Sequence, residues 1–394
     1  MASMNPKDGL DPKEQGAVLV LDEIVRRAVA RGASDIHLEP KHDRLGIRLR
    51  VDGYMVQEQS VAHDLGPLVV SRVKVLARMD IAERRVPQDG QLTLEPDGKR
   101  IHLRASTFPC SQGEKLVLRI LMGQKLIPFE QLGMDTPTMQ YIRDVVTRPQ
   151  GFLVTSGPTG AGKTSTLYAF LQLIDTARVN VMTLEDPIEV EVPGITQGQT
   201  HVRAGFTFAV GLRACLRQDP DVILVGEMRD GETASIALQA ALTGHLVMST
   251  LHTSDTVESV VRLIDLGLEP WIVANALSAV LAQRLVRVVC DNCREVARLD
   301  HDLWDDDEVL LSAGSEIVRP RGCAKCFKTG YKGRSGVFEV LAMDDEIREL
   351  IKVKAPAREY RKARKARKLP SLRRLGFDRV KAGITTIDEV LRVT

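Results

Sequence analysis

Gly157-Pro158-Thr159-Gly160-Ala161-Gly162-Lys163-Thr164 decides the reading of this chain. A short apolar run, Phe152-Leu153-Val154-Thr155, precedes it, and Ser165-Thr166-Leu167-Tyr168-Ala169-Phe170-Leu171 follows as a helix. Strand, glycine-rich loop and helix in that order are the context in which a phosphate loop works. The glycines let backbone N–H groups turn inward around phosphate oxygens, and the helix N-terminus adds partial positive charge. On this reading residues 157–165, including Ser165, cradle ATP. Lys163 reaches the terminal phosphates and Thr164 holds Mg²⁺. The alternative is a glycine turn that binds nothing, and it leaves the lysine, the threonine and both flanks unexplained.

Outward from this loop, apolar strands are expected at 152–156, 180–184, 221–226 and 245–250. They alternate with helices at 163–175, 207–217, 231–242 and 254–266. Short apolar strands separated by helices imply an α/β fold with a mostly parallel sheet covered on both faces. Residues 270–284 read as further helix running into a cysteine region, and the tail from about 344 reads as helical and polar. Ahead of the core lies a different pattern. An amphipathic helix at 17–31 leads into strands at 35–39, 45–51 and 54–59, a helix at 64–79, and strands at 91–95, 99–107 and 115–121. Asp52-Gly53 and Asp97-Gly98 are hairpin signals. This is a small α+β domain with antiparallel pairing. Pro128 and Gly133 mark 122–135 as a linker. The expected division is therefore 1–125, a linker at 126–135, the α/β core at 136–288, a cysteine module at 289–330 and a helical subdomain at 331–394.

Two further strand ends carry acid. Asp219-Pro220-Asp221-Val222-Ile223-Leu224-Val225-Gly226-Glu227 is an apolar strand ending in a carboxylate. Glu227 is the Walker B candidate, holding Mg²⁺ through water or polarising the attacking water. In Thr183-Leu184-Glu185-Asp186-Pro187-Ile188-Glu189, Glu185 is the first acid off the strand and a candidate general base, while Glu189 and Glu191 read as solvated. Thr243 to Thr253 places histidines at both ends of another apolar strand. A lone histidine there is otherwise a structural hydrogen-bonder, but at this strand end His252 is a candidate phosphate sensor. The first domain is rich in arginine: Arg48, Arg50, Arg72, Arg84 and Arg85. Phosphoryl transfer gains from an arginine supplied from outside the core, because charge develops on the transferred group.

Six cysteines are present, four of them as Cys290-x-x-Cys293 and Cys323-x-x-Cys326. In a reducing compartment two such pairs read as a tetrahedral zinc site rather than as disulfides. Cys110 and Cys215 stand alone and read as small core or loop residues. The 394 residues leave room for two or three domains. No apolar run approaches the roughly 20 residues a bilayer demands, and no signal-peptide pattern is present, so a cytoplasmic location is expected. Met1-Ala2-Ser3-Met4 reads as an addition ahead of a native start. Net charge is only +2 and aromatics are 4%, which argues against a nucleic-acid partner. The basic run Arg358–Arg374 reads as a solvated face, with an acidic partner or lipid headgroups as the other reading.

Several segments together resemble the secretion and pilus-assembly ATPases, specifically the type II secretion ATPases (GspE-like). They are Gly32-Ala33-Ser34-Asp35-Ile36-His37-Leu38-Glu39-Pro40, Asp80 to Gly90, the phosphate loop, Thr183–Glu189, Leu216 to Asp230, residues 243–253 and the four cysteines. The resemblance runs from about 17 to 394. It implies a PAS-like first domain, a RecA-like core and a homo-hexameric ring. It further implies that first-domain arginines, matching Arg48, Arg50, Arg72 and Arg85, complete the nucleotide site. Arg213, Arg217 and Arg334 match core arginines near phosphates or the subunit interface. The implied partner is an inner-membrane secretion platform, which the ring works to extrude a pseudopilus, leaving the ATPase peripherally associated with the membrane. The chain also departs from the family. Val210 stands where the family usually has arginine, which puts one contact in doubt. The family's additional N-terminal docking domain is missing, as in a truncated or shorter form. Retraction ATPases normally lack the four cysteines, so assembly is favoured over retraction. Type IV pilus assembly is the runner-up. A nucleic-acid motor on a RecA-like core and a zinc-stabilised module with an inactive nucleotide site are readings of other classes. The first is disfavoured by charge and aromatic content, the second by the intact Lys163, Thr164, Glu185 and Glu227.

Overall fold

The computed structural model describes residues 12–121, 126–305 and 308–394. The reading of residues 1–4 and the 122–125 part of the linker lie outside the described residues. The chain forms two compact units divided at Gln124/Lys125.

The first unit begins with helix α1 (Pro12–Ala30) and holds strands β1 (Ala33–Pro40), β2 (Arg44–Val51), β3 (Tyr54–Gln57) and β4 (Val61–Ala62), helix α2 (Gly66–Leu76), and strands β5 (Gln88–Leu94), β6 (Ile101–Cys110) and β7 (Gly113–Leu121). The sheet runs β3-β2-β1-β7-β6-β5, with β4 on β2, and every pairing is antiparallel. Strand alternation puts Ile36, Leu38, Ile47, Leu49, Leu116 and Leu118 in one core with Leu21, Val25, Val69 and Val73 of the two helices. Other residues of the same strands pair by charge. Arg119 bonds Asp35 at 3.0 Å, and Arg48 grips both oxygens of Glu39. That grip, helped by Lys115, holds the Glu39 carboxyl down at about 2 against the opposing effect of burial.

The second unit contains α3 (Thr136–Val146), β8 (Gly151–Ser156), α4 (Lys163–Leu171), β9 (Val181–Glu185), β10 (Thr196–Gln199), α5 (Phe208–Cys215), β11 (Val222–Val225), α6 (Gly231–Leu242), β12 (Leu246–Leu251), α7 (Thr256–Asp265) and α8 (Pro270–Ala276). It continues through β13 (Leu277–Val289), the hairpin strands β14 (Arg294–Arg298), β15 (Leu303–Asp305), β16 (Glu308–Leu311) and β17 (Glu316–Pro320), then β18 (Tyr331–Ala342). Helices α9 (Asp345–Lys352), α10 (Ala357–Ala366), α11 (Leu372–Lys381) and α12 (Ile387–Val393) follow. The main sheet has the order β10-β9-β11-β12-β8-β13-β18 and is parallel except for the β13–β18 pair. Its two faces bury separate cores, Phe152 and Val154 on one side and Leu153 on the other. Both faces are covered, as the apolar strands implied.

Three expectations are corrected here. The helix expected over 270–284 ends at Ala276, and β13 takes over as a central strand. The run Leu277–Ala282 is buried throughout, so it carries no amphipathic period to tell strand from helix. Residues 331–342 of the expected helical subdomain form β18, the antiparallel edge of the main sheet. The linker is not free chain: Phe129, Leu132 and Met134 are buried in the second unit's core. In the basic run Arg358, Arg361, Lys362, Lys365 and Lys368 are exposed, as a solvated face requires, and several of its arginines are ion-paired. Arg361 pairs with Asp255, Arg367 with Asp344 and Glu346, and the buried Arg364 with Glu339 at 3.3 Å.

Candidate nucleotide site and cysteine cluster

Register places the site. Strands β11, β12 and β8 are neighbours, with Leu251 opposite Ser156 and Ser249 opposite Val225. Chain leaving their carboxyl ends therefore delivers the Glu227 segment, the His252 segment and the phosphate loop side by side. In parallel α/β sheets, ligands bind in the crevice outside this edge.

Within the loop, Gly157, Gly160 and Gly162 have φ of 150°, 79° and 87°. Lys163 is buried, and its Nζ donates to the carbonyls of Gly157 (2.8 Å) and Pro158 (3.1 Å). Burial pulls the Lys163 pKa down to about 8, with the Glu227 charge working in the opposite direction. Glu227 is paired with Arg229, and one of its oxygens lies 3.6 Å from His252 Nε2. Burial and the nearby Lys163 lower the His252 pKa below the usual histidine value, so the ring is neutral at pH 7. Thr164 and Ser165 occupy the first turn of α4, next to Lys163. A lysine held by loop carbonyls, a half-turn of threonine and serine, and a carboxylate across β12 are the donor set that a phosphate chain with Mg²⁺ requires.

Glu185 ends β9 at the same edge of the sheet, beside Gly226 of the Glu227 segment. Its buried carboxylate accepts from Thr183 Oγ1 (2.6 Å), Gln197 Nε2 (3.1 Å) and the Tyr168 hydroxyl. Arg213 pairs with Glu232 at 2.8 Å, and Arg217 donates to the Arg213 carbonyl. Arg334 is exposed on β18. In the first unit, Arg48 is on Glu39, Arg50 donates to Gly53 O, Arg85 pairs with Glu83, and Arg72 is half-buried on α2.

Sequence reasoning missed the floor of the loop. Gln283 Nε2 donates to Ala161 O at 2.6 Å, and Gln283 O abuts Gly157. These residues lie in the stretch expected to be helical, and only a strand assignment would have placed them beside β8. Arg229 was signalled by its position two residues beyond Glu227.

The four cysteines converge. Sγ–Sγ separations are 3.9 Å (290–323), 3.8 Å (293–326) and 3.7 Å (323–326), and all four sulfurs lie within 4.8 Å of one another. A tetrahedron of sulfurs about 2.3 Å from zinc has edges of about 3.8 Å, so the cluster fits that ion. Backbone N–H groups of Cys323 and Gly330 donate to Cys326 Sγ, and Asn292 donates to Cys323 Sγ, which favours thiolates. Cys290 directly follows β13, and Gly330 directly precedes β18. The cluster thus closes the base of the insertion between two paired sheet strands.

The profile of the type II/IV secretion system protein family matches residues 12–392. The chain belongs to this family. It is 45% identical to the type II secretion system ATPase E of Vibrio cholerae, over 98% of this chain and 77% of that protein. It is 41% identical to the type IV pilus assembly ATPase TfpB of Acinetobacter baylyi, over 97% of this chain and 66% of that one. Among solved structures, the pilus retraction motor PilT with bound ADP is similar at a TM-score of 0.63 and 25% identity, covering 95% of this chain and 96% of that chain. Among the described residues, no helix is long and apolar enough to cross a membrane.

Proposed function

We propose that this chain is the hexameric, ATP-hydrolysing motor subunit of a type II secretion system, working on an inner-membrane platform to assemble a pseudopilus. The observation that carries the reading is the alignment of Lys163, His252 and Glu227 along one edge of β8, β12 and β11. Lys163 would grip the terminal phosphates, and its cationic form would be restored by their charge. Thr164 and Glu227 would hold Mg²⁺, which supplies charge neutralisation between phosphate oxygens. Glu227 orients the attacking water, and neutral His252 reports on the terminal phosphate. Glu185, held by three donors, serves as base only after Tyr168 lets go. The cysteine cluster would bind a structural Zn²⁺, since four thiolates leave no open position for substrate.

Hydrolysis is proposed to depend on assembly and on first-unit arginines. The test is the ATPase rate against protein concentration, with and without residues 1–125. A rate that climbs with concentration and collapses without the first unit supports the proposal. Equal, concentration-independent rates overturn it. Type IV pilus assembly is the second reading, favoured by the similarity to the Acinetobacter baylyi ATPase. Complementation of strains lacking either ATPase separates the two.

A further inference from the structure

Strand β13 links features that are far apart in the chain. Gln283 supports the phosphate loop, Arg287 receives α12, and Cys290 opens the cysteine cluster. Between the first two lies Arg284, only 9% exposed. Its guanidinium donates to three backbone carbonyls in three different segments. Nη1 bonds Gln283 O at 2.9 Å, Nη2 bonds Ser254 O at 2.5 Å, and Nε bonds Val393 O at 2.8 Å. Gln283 O is the atom on which Gly157 packs, and Arg284 Nη1 itself approaches the same glycine. Ser254 ends the segment that carries His252 and leads into the Asp255 cap of α7. Val393 closes α12, where carbonyls lack intrahelical donors and a cation is favourable.

We propose that Arg284 is a positioning residue that ties the phosphate loop and the His252 segment to the C-terminal helix, so that nucleotide occupancy and α12 docking are linked. The proposal rests on the nucleotide-binding reading above. A planar fork with diverging donors is what three carbonyls in different directions require, and lysine cannot replace it. A second tie holds α12 to the same strand. Buried Glu389 accepts from the Arg287 backbone N–H (3.0 Å) and from its guanidinium (2.9 Å). Displacing α12 therefore disturbs β13 next to the residues that floor the loop. By reciprocity, a nucleotide that fixes the loop also fixes α12.

The experiment uses the full chain, a fluorescent ADP analogue and amide hydrogen exchange. In the wild type, ADP should slow exchange of residues 387–393. Arg284→Gln should abolish that slowing and weaken ADP binding roughly 5- to 20-fold, at the low end of site-to-site coupling. Arg284→Lys should fall short of rescue. Glu389→Gln loosens α12 without touching the loop and should also weaken ADP binding, which keeps the test open if Arg284→Gln fails to fold. ADP binding that leaves 387–393 exchange unchanged, or Glu389→Gln and Arg284→Lys binding as wild type, overturns the linkage. A wild-type chain that does not bind ADP at all overturns the nucleotide reading and the linkage together.

Discussion

Replacing Gly157 by alanine tests how tightly the phosphate loop is seated on β13. A Cβ at this position would lie 2.6 Å from Gln283 O, 3.0 Å from Ala161 Cβ and 3.4 Å from Arg284 Nη1. An ordinary C···O contact is about 3.3 Å or longer, so something must move by about 0.7 Å. The obstacle is a backbone carbonyl in a central strand, which cannot swing aside. Overpacking of this kind costs about 1–3 kcal/mol, and an alanine held at the φ of 150° adds roughly 1–3 kcal/mol of strain. The expected loss is about 2–6 kcal/mol. Gly160 is the control: its φ of 79° is left-handed, but nothing lies within 4 Å of its Cβ position, so alanine there costs only about 1–2 kcal/mol. Both tryptophans, Trp271 and Trp304, lie in the second unit, so their fluorescence during urea unfolding reports on that unit. Gly157→Ala should be less stable than Gly160→Ala by at least about 1 kcal/mol and should bind ADP more weakly. Equal stabilities for the two variants would refute the tight seating.

Other perturbations have equally definite outcomes. Cys323→Ser should lose about one zinc per chain by elemental analysis and loosen the 290–330 insertion while ADP still binds; a zinc-free wild type would remove the claim. Lys163, pulled down to about 8 by burial, should make ADP affinity fall between pH 7 and 9 as its proton is lost, and titration calorimetry showing a flat or rising affinity would contradict this. Its folded pKa lies below its unfolded value of about 10.4. The nucleotide-free protein should therefore gain stability from this group as pH rises between those two values. Arg364→Ala strands Glu339, which also accepts from Thr256 and from the Leu372 N–H. It should cost about 3–5 kcal/mol; a loss under about 1 kcal/mol, typical of an exposed pair, would mean the pair is not buried.

The motif-bearing edge of the sheet was legible because its information is local. A glycine loop between an apolar strand and a helix, or an acid at a strand end, can be read within about ten residues. What escaped depended on contacts between distant segments. Leu277–Ala282 is apolar at almost every position because both faces are covered, and without a period it passed for helix. With it went Gln283 and Arg284, whose roles exist only beside β8. Tyr331–Ala342 follows the cysteine module and contains Gly333 and Gly336, so nothing local marks it as a sheet edge. Glu185 has the residue type and position of a base, but its burial under Tyr168, Thr183 and Gln197 is set by residues the motif does not include. The basic tail showed its arginines; the acids that neutralise them, Asp255, Glu339 and Asp344, are spread over some ninety residues of chain.

The central claim, that Lys163 and Glu227 form an ATP-hydrolysing site, meets its most direct test in Glu227→Gln. The neutral amide fills the same space beside His252 and Arg229 but cannot orient and polarise water as a carboxylate does. Single-turnover hydrolysis and ATP retention would be measured on the same preparation, with Lys163→Ala alongside. Glu227→Gln should keep ATP bound and unhydrolysed, while Lys163→Ala loses binding and hydrolysis together. Wild-type turnover in either variant would contradict the assignment.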